Sequence, residues 1–228
     1  MMNIRNSTYT RFTISEQVYQ EAEVRAKRQK VFTMSHRGEA ANIVGCLGEV
    51  IAEEWMKKHE IEFKEELEET THDYLVNKAI TVDVKTKDRT VKPKIDYDNS
   101  APLYNHSHQK PDYFLFISLE RPSTRKDNDI RKYHTAYIVG GIGYEELDQY
   151  GIKFLEGDID WRNSTKFWTS CINIEMWQLI PLKELISIFK GELKSPESTM
   201  PINKDVLRMM KQLIQQGKLP DRPLPREI

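Results

Sequence analysis

Four residues in this chain have types and spacing that suit one chemistry: Asp73, a gap of nine residues, then Asp83-Val84-Lys85. On a β-strand, Asp83 and Lys85 point to one face and Val82 and Val84 to the other. One face then packs, and the other shows a carboxylate beside an ammonium. If Asp73 begins the partner strand of a hairpin, its carboxylate meets that of Asp83. Two converging carboxylates repel unless a cation sits between them. Oxygen ligands alone select a hard ion such as Mg²⁺, usually held by one or two carboxylates plus substrate phosphate. A lysine beside that ion can orient a water or offset charge building on phosphorus. These are the parts for hydrolysing a phosphodiester. The same tripeptide also reads as the solvent face of an amphipathic edge strand, where charges are routine.

The elements that must position these residues are legible in outline. Tyr74-Leu75-Val76 is short and apolar, Asn77-Lys78 reads as a tight turn, and Ile80 to Lys85 alternates with period two, which predicts a hairpin. Upstream, Thr13 and Glu16 have capping-box spacing for a helix carrying Val18, Ala22 and Ala26 inward. A second helix is predicted from about Gly38 to His59, with Ile43, Leu47, Val50, Ile51 and Trp55 on its buried face. Downstream, Tyr113–Leu119 reads as a buried central strand. His134–Val139 reads as another, broken by Gly140-Gly141-Ile142-Gly143. Tyr144–Tyr150 reads as a short helix stopped by Gly151. Glu175–Ile180 reads as a last edge strand, and Pro181 opens a helix ended by Gly191. The order predicts an α/β or α+β domain, a central mixed β-sheet flanked by helices. Residues 1–194 form that body. Residues 195–228 are predicted as an extension: a linker, a helix over 203–217 that packs back or serves a partner, and a proline-rich tail.

The pattern resembles the PD-(D/E)xK nucleases, the restriction-endonuclease-like superfamily, in which an acid at a hairpin is followed by acid-x-Lys on the next strand. His72 stands where the motif's name has proline, a loosely kept position. Many members add an acid on a preceding helix. Gly45-Cys46-Leu47-Gly48-Glu49 resembles that Gly-x-x-Gly-Glu segment, with Glu49 in the role and Glu53, one turn on, competing for it. Small Gly45 and Gly48 would bring the helix close to the sheet. The resemblance covers about residues 38–120, and the whole chain looks like small nuclease-like proteins of bacteriophages and bacteria. It implies that Asp73, Asp83 and the Val84 carbonyl ligate Mg²⁺, which Mn²⁺ would replace, with Glu49 direct or through water. Lys85 would position the attacking water. The implied reaction is DNA cleavage, leaving a 5′-phosphate and a 3′-hydroxyl, in a bacterial cytoplasm. A nuclease-fold DNA-binding or assembly protein with little turnover is the alternative.

Composition sets the bounds. The chain has 228 residues, 34 Lys and Arg against 35 Asp and Glu, and a net charge of −1, which excludes a polycationic nucleic-acid tail but not a local basic groove. No apolar run approaches the roughly 20 residues of a membrane span, and no apolar signal core opens the chain. Cys46 and Cys171 are too few for a disulfide scaffold and read as buried small apolar residues in a reducing compartment. Lys85 to Lys94 carries five basic residues and one acid. Lys87, Arg89, Lys92 and Lys94 there are candidate phosphate contacts, or simply a solvated loop. His106 and His108 are most simply a polar loop. Its strand should pass near Asp83, so His108 or Gln109 would contact substrate. Trp161, Phe167 and Trp168 read as packing or, less simply, as base-stacking groups. No segment declares a dimer interface, and a homodimer stays open.

Overall fold

A computed structural model of the chain describes residues 4–28, 39–66, 71–103, 108–222 and 224. The hairpin predicted around Asn77-Lys78 is present. β3 (Tyr74–Val76) pairs antiparallel with β4 (Ile80–Arg89), and both turn residues take positive φ, 47° and 59°. Asn tolerates that left-handed region better than most residues. Four more strands complete a six-stranded mixed sheet: β1 (Thr10–Thr13), β2 (Phe63–Glu65), β6 (Tyr113–Glu120) and β7 (Thr135–Gly143). The order is β1-β7-β6-β4-β3-β2, with β4 and β6 parallel and the other pairs antiparallel.

Helices cover one face. α1 (Glu16–Arg28), α2 (Glu39–Lys58) and α4 (Leu182–Phe189) pack Val18, Ala22, Leu47, Ile51, Trp55, Leu185 and Phe189 onto Val82, Val84, Leu115 and Ile117. The opposite face meets a second, three-stranded sheet with order β5-β11-β8, made of β5 (Asp98–Pro102), β8 (Ile152–Phe154) and β11 (Cys171–Glu175). Phe114, Phe116 and Val139 from the main sheet pack there on Ala101, Ile172 and Ile174, with Leu147 of α3 (Tyr144–Tyr150). β9 (Ile159–Asp160) and β10 (Thr165–Lys166) form a small ribbon. α5 (Lys204–Gln215) follows, so the described residues hold five helices in an α/β arrangement. No helix among the described residues is long and apolar enough to cross a membrane.

Several sequence expectations change. The first helix starts at Glu16, where Ser15 receives the opening N–H groups, and Thr13 instead ends an edge strand. Gly140 and Gly141 do not break their strand. They pair with Phe116 and Leu115 beside an irregularity in the ladder between Phe116 and Ile117, where Gly140 takes φ +135°, and β7 runs on to Gly143. The strand expected at 175–180 lies earlier, at Cys171–Glu175, and is the middle of its sheet rather than an edge. Residues 176–178 form a 3₁₀ turn. The C-terminal segment packs on the body: fully buried Met210 meets Ile152, Phe154 and Cys171, and Gln178 donates to the Pro201 carbonyl.

Candidate active site

β3 begins at Tyr74, so Asp73 is the residue where the hairpin ladder runs out. Its N–H donates to the Val82 carbonyl at 3.0 Å, and its Oδ2 accepts the Val84 N–H at 2.7 Å. The side chain thus stands in for the next carbonyl of a strand. This holds the carboxylate against β4 beside Asp83, which lies between β3 and β6 and is 1% exposed. Lys85, two residues on, shares the Asp83 face. Its Nζ is 2.5 Å from Asp83 Oδ2 and donates to Gln109 Oε1 at 3.3 Å. The Lys85 side chain keeps 17% exposure against 2% for Asp83, so the ammonium stands on the solvent side of the acid.

Electrostatics mark the pair. Burial, then the nearby charges of Asp83 and Glu49, push the Asp73 carboxyl well above the usual range, while Lys85 and the Val84 N–H oppose the rise. Burial also raises Asp83, with Lys85 pulling it back. Two acids that resist ionisation side by side are what a divalent cation relieves. His72, in the motif's proline position, bonds Glu66 Oε2 and Thr71 Oγ1, each at 2.8 Å.

The two candidate helix acids differ. Glu53 is 8% exposed and lies 2.5 Å from Arg25 Nη2, and it also accepts the Tyr74 hydroxyl at 3.0 Å. Glu49 lies 3.6 Å from Arg25 Nη1, and its charge reaches Asp73. Of the two, Glu49 is thus the one in the field of the acid pair. The approach of α2 to the sheet is close at Gly48, where a Cβ would stand 1.9 Å from Thr86 Oγ1 on β4. Gly45 makes no such approach: among the described residues, the nearest atom to a Cβ there is Glu49 Oε1, at 4.0 Å.

The remaining predicted contacts are dispersed. Lys87 and Arg89 belong to β4, not to a loop, because the alternation continues in register with Ser118 and Glu120. They run under β5: Lys87 Nζ donates to the Asp98 carbonyl and Ser100 Oγ, each at 3.0 Å, and Arg89 to the Asp98 carbonyl and Ser118 Oγ, at 2.6 and 2.9 Å. Burial, with Arg89 alongside, brings the Lys87 ammonium down to about 8. Both cations are therefore engaged by partners inside the protein. Lys92 and Lys94 are exposed. Gln109 reaches Lys85, His108 is exposed, and His106 lies outside the described residues. Trp161 and Phe167 pack beside Phe154, whereas Trp168 is 74% exposed.

Sequence reasoning passed over Arg25, the buried cation at the back of the site. Its signal was present: Val18, Ala22 and Arg25 share one helical face, so an arginine falls on the apolar stripe of α1. Burial alone would lower its pKa, but Tyr74, Glu53 and Glu65 around it drive it upward. Among the described residues, no group of three or more His, Cys, Asp or Glu side chains is arranged to hold a metal ion. The donors the site offers are two desolvated carboxylates, and Asp83 Oδ2 is buried against the Lys85 ammonium. Hard oxygen donors of that number fit Mg²⁺, which keeps several waters and takes substrate phosphate for the rest. Searched against protein-family models and against curated proteins, the chain finds no match.

Proposed function

We propose that this chain is a Mg²⁺-dependent nuclease of the PD-(D/E)xK type, hydrolysing DNA phosphodiester bonds. The observation that carries the reading is the Asp73–Asp83 pair: two desolvated carboxylates across a hairpin end, both resisting ionisation, with Lys85 Nζ 2.5 Å from one of them. Asp73 and Asp83, with the Val84 carbonyl as backbone donor, would hold the ion, and Glu49 would join them directly or through water. The ion when bound supplies a Lewis acid for the phosphoryl oxygen and lowers the pKa of water. The chain's own groups do the rest. Asp73 is fixed by the Val84 N–H, so its free oxygen has a set direction. Lys85, once drawn off Asp83, keeps a tether to Gln109 and is placed to orient water or to offset charge building on the attacked phosphate. The order of β3, β4 and β6, with a helix acid on α2, supports the restriction-endonuclease-like assignment.

The test is cleavage of plasmid and of DNA and RNA oligonucleotides with Mg²⁺, with Mn²⁺ and with chelator, beside Asp83→Ala and Lys85→Ala. We expect DNA cleavage that needs the metal and falls at least about a hundredfold in each variant, the scale lost with one electrostatic or acid–base group. Undiminished cleavage in both variants would remove these residues from the reaction.

One arrangement favours a second reading, a DNA-binding or assembly protein of this fold with little turnover: Lys85 is paired with Asp83, and Glu49 with Arg25. DNA binding without cleavage under either metal would select it.

A further inference from the structure

The ribbon of β9 and β10 has two unlike faces. Ile159 pairs with Lys166, and residues directly opposite share a face. The ladder runs on to Phe167, whose N–H donates to the Asp158 carbonyl at 2.9 Å. Phe167 turns inward and stacks on Phe154. Asp158 and Asp160 also turn inward, to Arg222 and Arg162, at 2.7 Å each. Arg162 ties the ribbon further to Asp98 of β5 and Glu175 of β11, at 2.8 and 2.6 Å. The outer face is thus held on a fixed support, and it carries Ile159, Lys166 and Trp168. Trp168 is more exposed than any other large apolar side chain among the described residues. Lys166 Nζ stands 5.4 Å from the indole centroid, within cation–π reach, and among the described residues it pairs with no acid.

This face lies toward the acid pair. β5 meets Arg89 at the Asp98 carbonyl and Lys87 at Ser100, so its Pro102 end points toward Lys85. Just past that end, the Leu103 N–H donates at 2.9 Å to the carbonyl of Ser170, two residues from Trp168. Leu103 packs on the cluster that holds Phe114, and Lys85 Nζ stands 5.9 Å from the Phe114 ring.

We propose that the Trp168 indole is a stacking platform for one unpaired DNA base, with Lys166 meeting a neighbouring phosphate, so that the substrate is DNA with a single-stranded stretch. The choice of DNA rests on the nuclease reading given above. A protein partner is too large for the face: an indole of about 250 Å² and one isoleucine fall well short of the roughly 800 Å² that each side of a stable protein interface buries. A single base matches it, bringing a π-face to the indole and a phosphate to the ammonium. In a duplex both faces of a base are covered by its neighbours, so the stacked base must be unpaired.

The test measures affinity by fluorescence anisotropy for a labelled oligothymidylate strand and a blunt duplex of equal length, in chelator so that nothing is cut. Thermal melting checks folding. Trp168→Ala should bind the single strand about tenfold more weakly, the scale of one stacked base, and the duplex as wild type does. Trp168→Phe should stay within about threefold of wild type, because a phenyl ring keeps a stacking face. Lys166→Gln should flatten the slope of log affinity against log salt by about 0.7, one phosphate contact on a single strand. Equal single-strand affinity in wild type and Trp168→Ala would overturn the proposal and leave the nuclease reading to its own cleavage assay. An equal loss on the duplex would overturn it too, by marking a general contact. So would tighter binding of oligouridylate than of oligothymidylate, or a wild-type dimer that Trp168→Ala makes a monomer, which would seat a second copy on the face. A Trp168-dependent single-strand affinity without metal-dependent cleavage would remove the nuclease reading and leave the platform standing.

Discussion

Asp73 carries the largest electrostatic tension in the molecule's candidate site, and that tension has a measurable sign. Its folded pKa is raised, first by burial and then by Asp83 and Glu49. The neutral form therefore favours folding. That contribution is full below the unfolded pKa and is lost as pH rises through the folded value. Asp73→Asn keeps an oxygen to accept the Val84 N–H and removes the charge. In chelator we expect it to melt a few degrees above wild type at neutral pH, at about 2–4 °C per kcal/mol for a chain of this size. The gap should close as pH falls below the ordinary carboxylate range, followed by calorimetry. Added Mg²⁺ should raise the wild-type melting temperature and leave Asp73→Asn unchanged. At this scale the sequence was most informative. Asp83 and Lys85 were readable because period two assigns a face unambiguously. Arg25 stood out on its helical stripe, but its role did not, because its partners Glu53, Glu65 and Tyr74 come together only when α1, α2, β2 and β3 pack.

Between elements, the decisive contact is α2 against β4, and two glycines of one segment play unequal parts in it. Gly48→Ala would drive a methyl into Thr86 and push the helix off the strand. Overpacking of this kind costs about 1–3 kcal/mol. Gly45→Ala meets no neighbour closer than 4.0 Å among the described residues and removes a helix-weakening residue, so it should stabilise by up to about 1 kcal/mol. Urea unfolding of the two single variants separates them, and Thr86→Ala should recover part of the Gly48→Ala loss, since the two sites touch. The sequence suggested small residues at both positions but held no information on which one faces the sheet. The same limit hid the second sheet. β5 reads Asp-Asn-Ser-Ala-Pro, with no apolar alternation, and becomes a strand only because β11 supplies a ladder partner some seventy residues later. β11 and the following 3₁₀ turn run on as CINIEMWQ with no Gly or Pro between them, so nothing in the sequence marks where the strand ends.

Across the whole molecule, α5 packs on the three-stranded sheet, and that sheet packs on the six-stranded one. Met210 is fully buried against β8 and β11, while its neighbour Met209 is 45% exposed. Met210→Ala should lower unfolding free energy by about 2–3 kcal/mol, as large-to-small core changes do, and Met209→Ala by no more than about 0.5 kcal/mol. Chemical denaturation of both gives the contrast. The link from β4 to its parallel neighbour β6 has a further consequence. That link passes through β5, and β5's strand neighbour is β11. On the ribosome, the cover over Lys87 and Arg89 must therefore wait until Glu175 has emerged, long after Asp83 and Lys85 have been made. A nascent chain halted before that point would carry Lys87 and Arg89 without the Asp98 carbonyl and Ser100 hydroxyl seated over them, two bare cations where the finished protein has engaged ones.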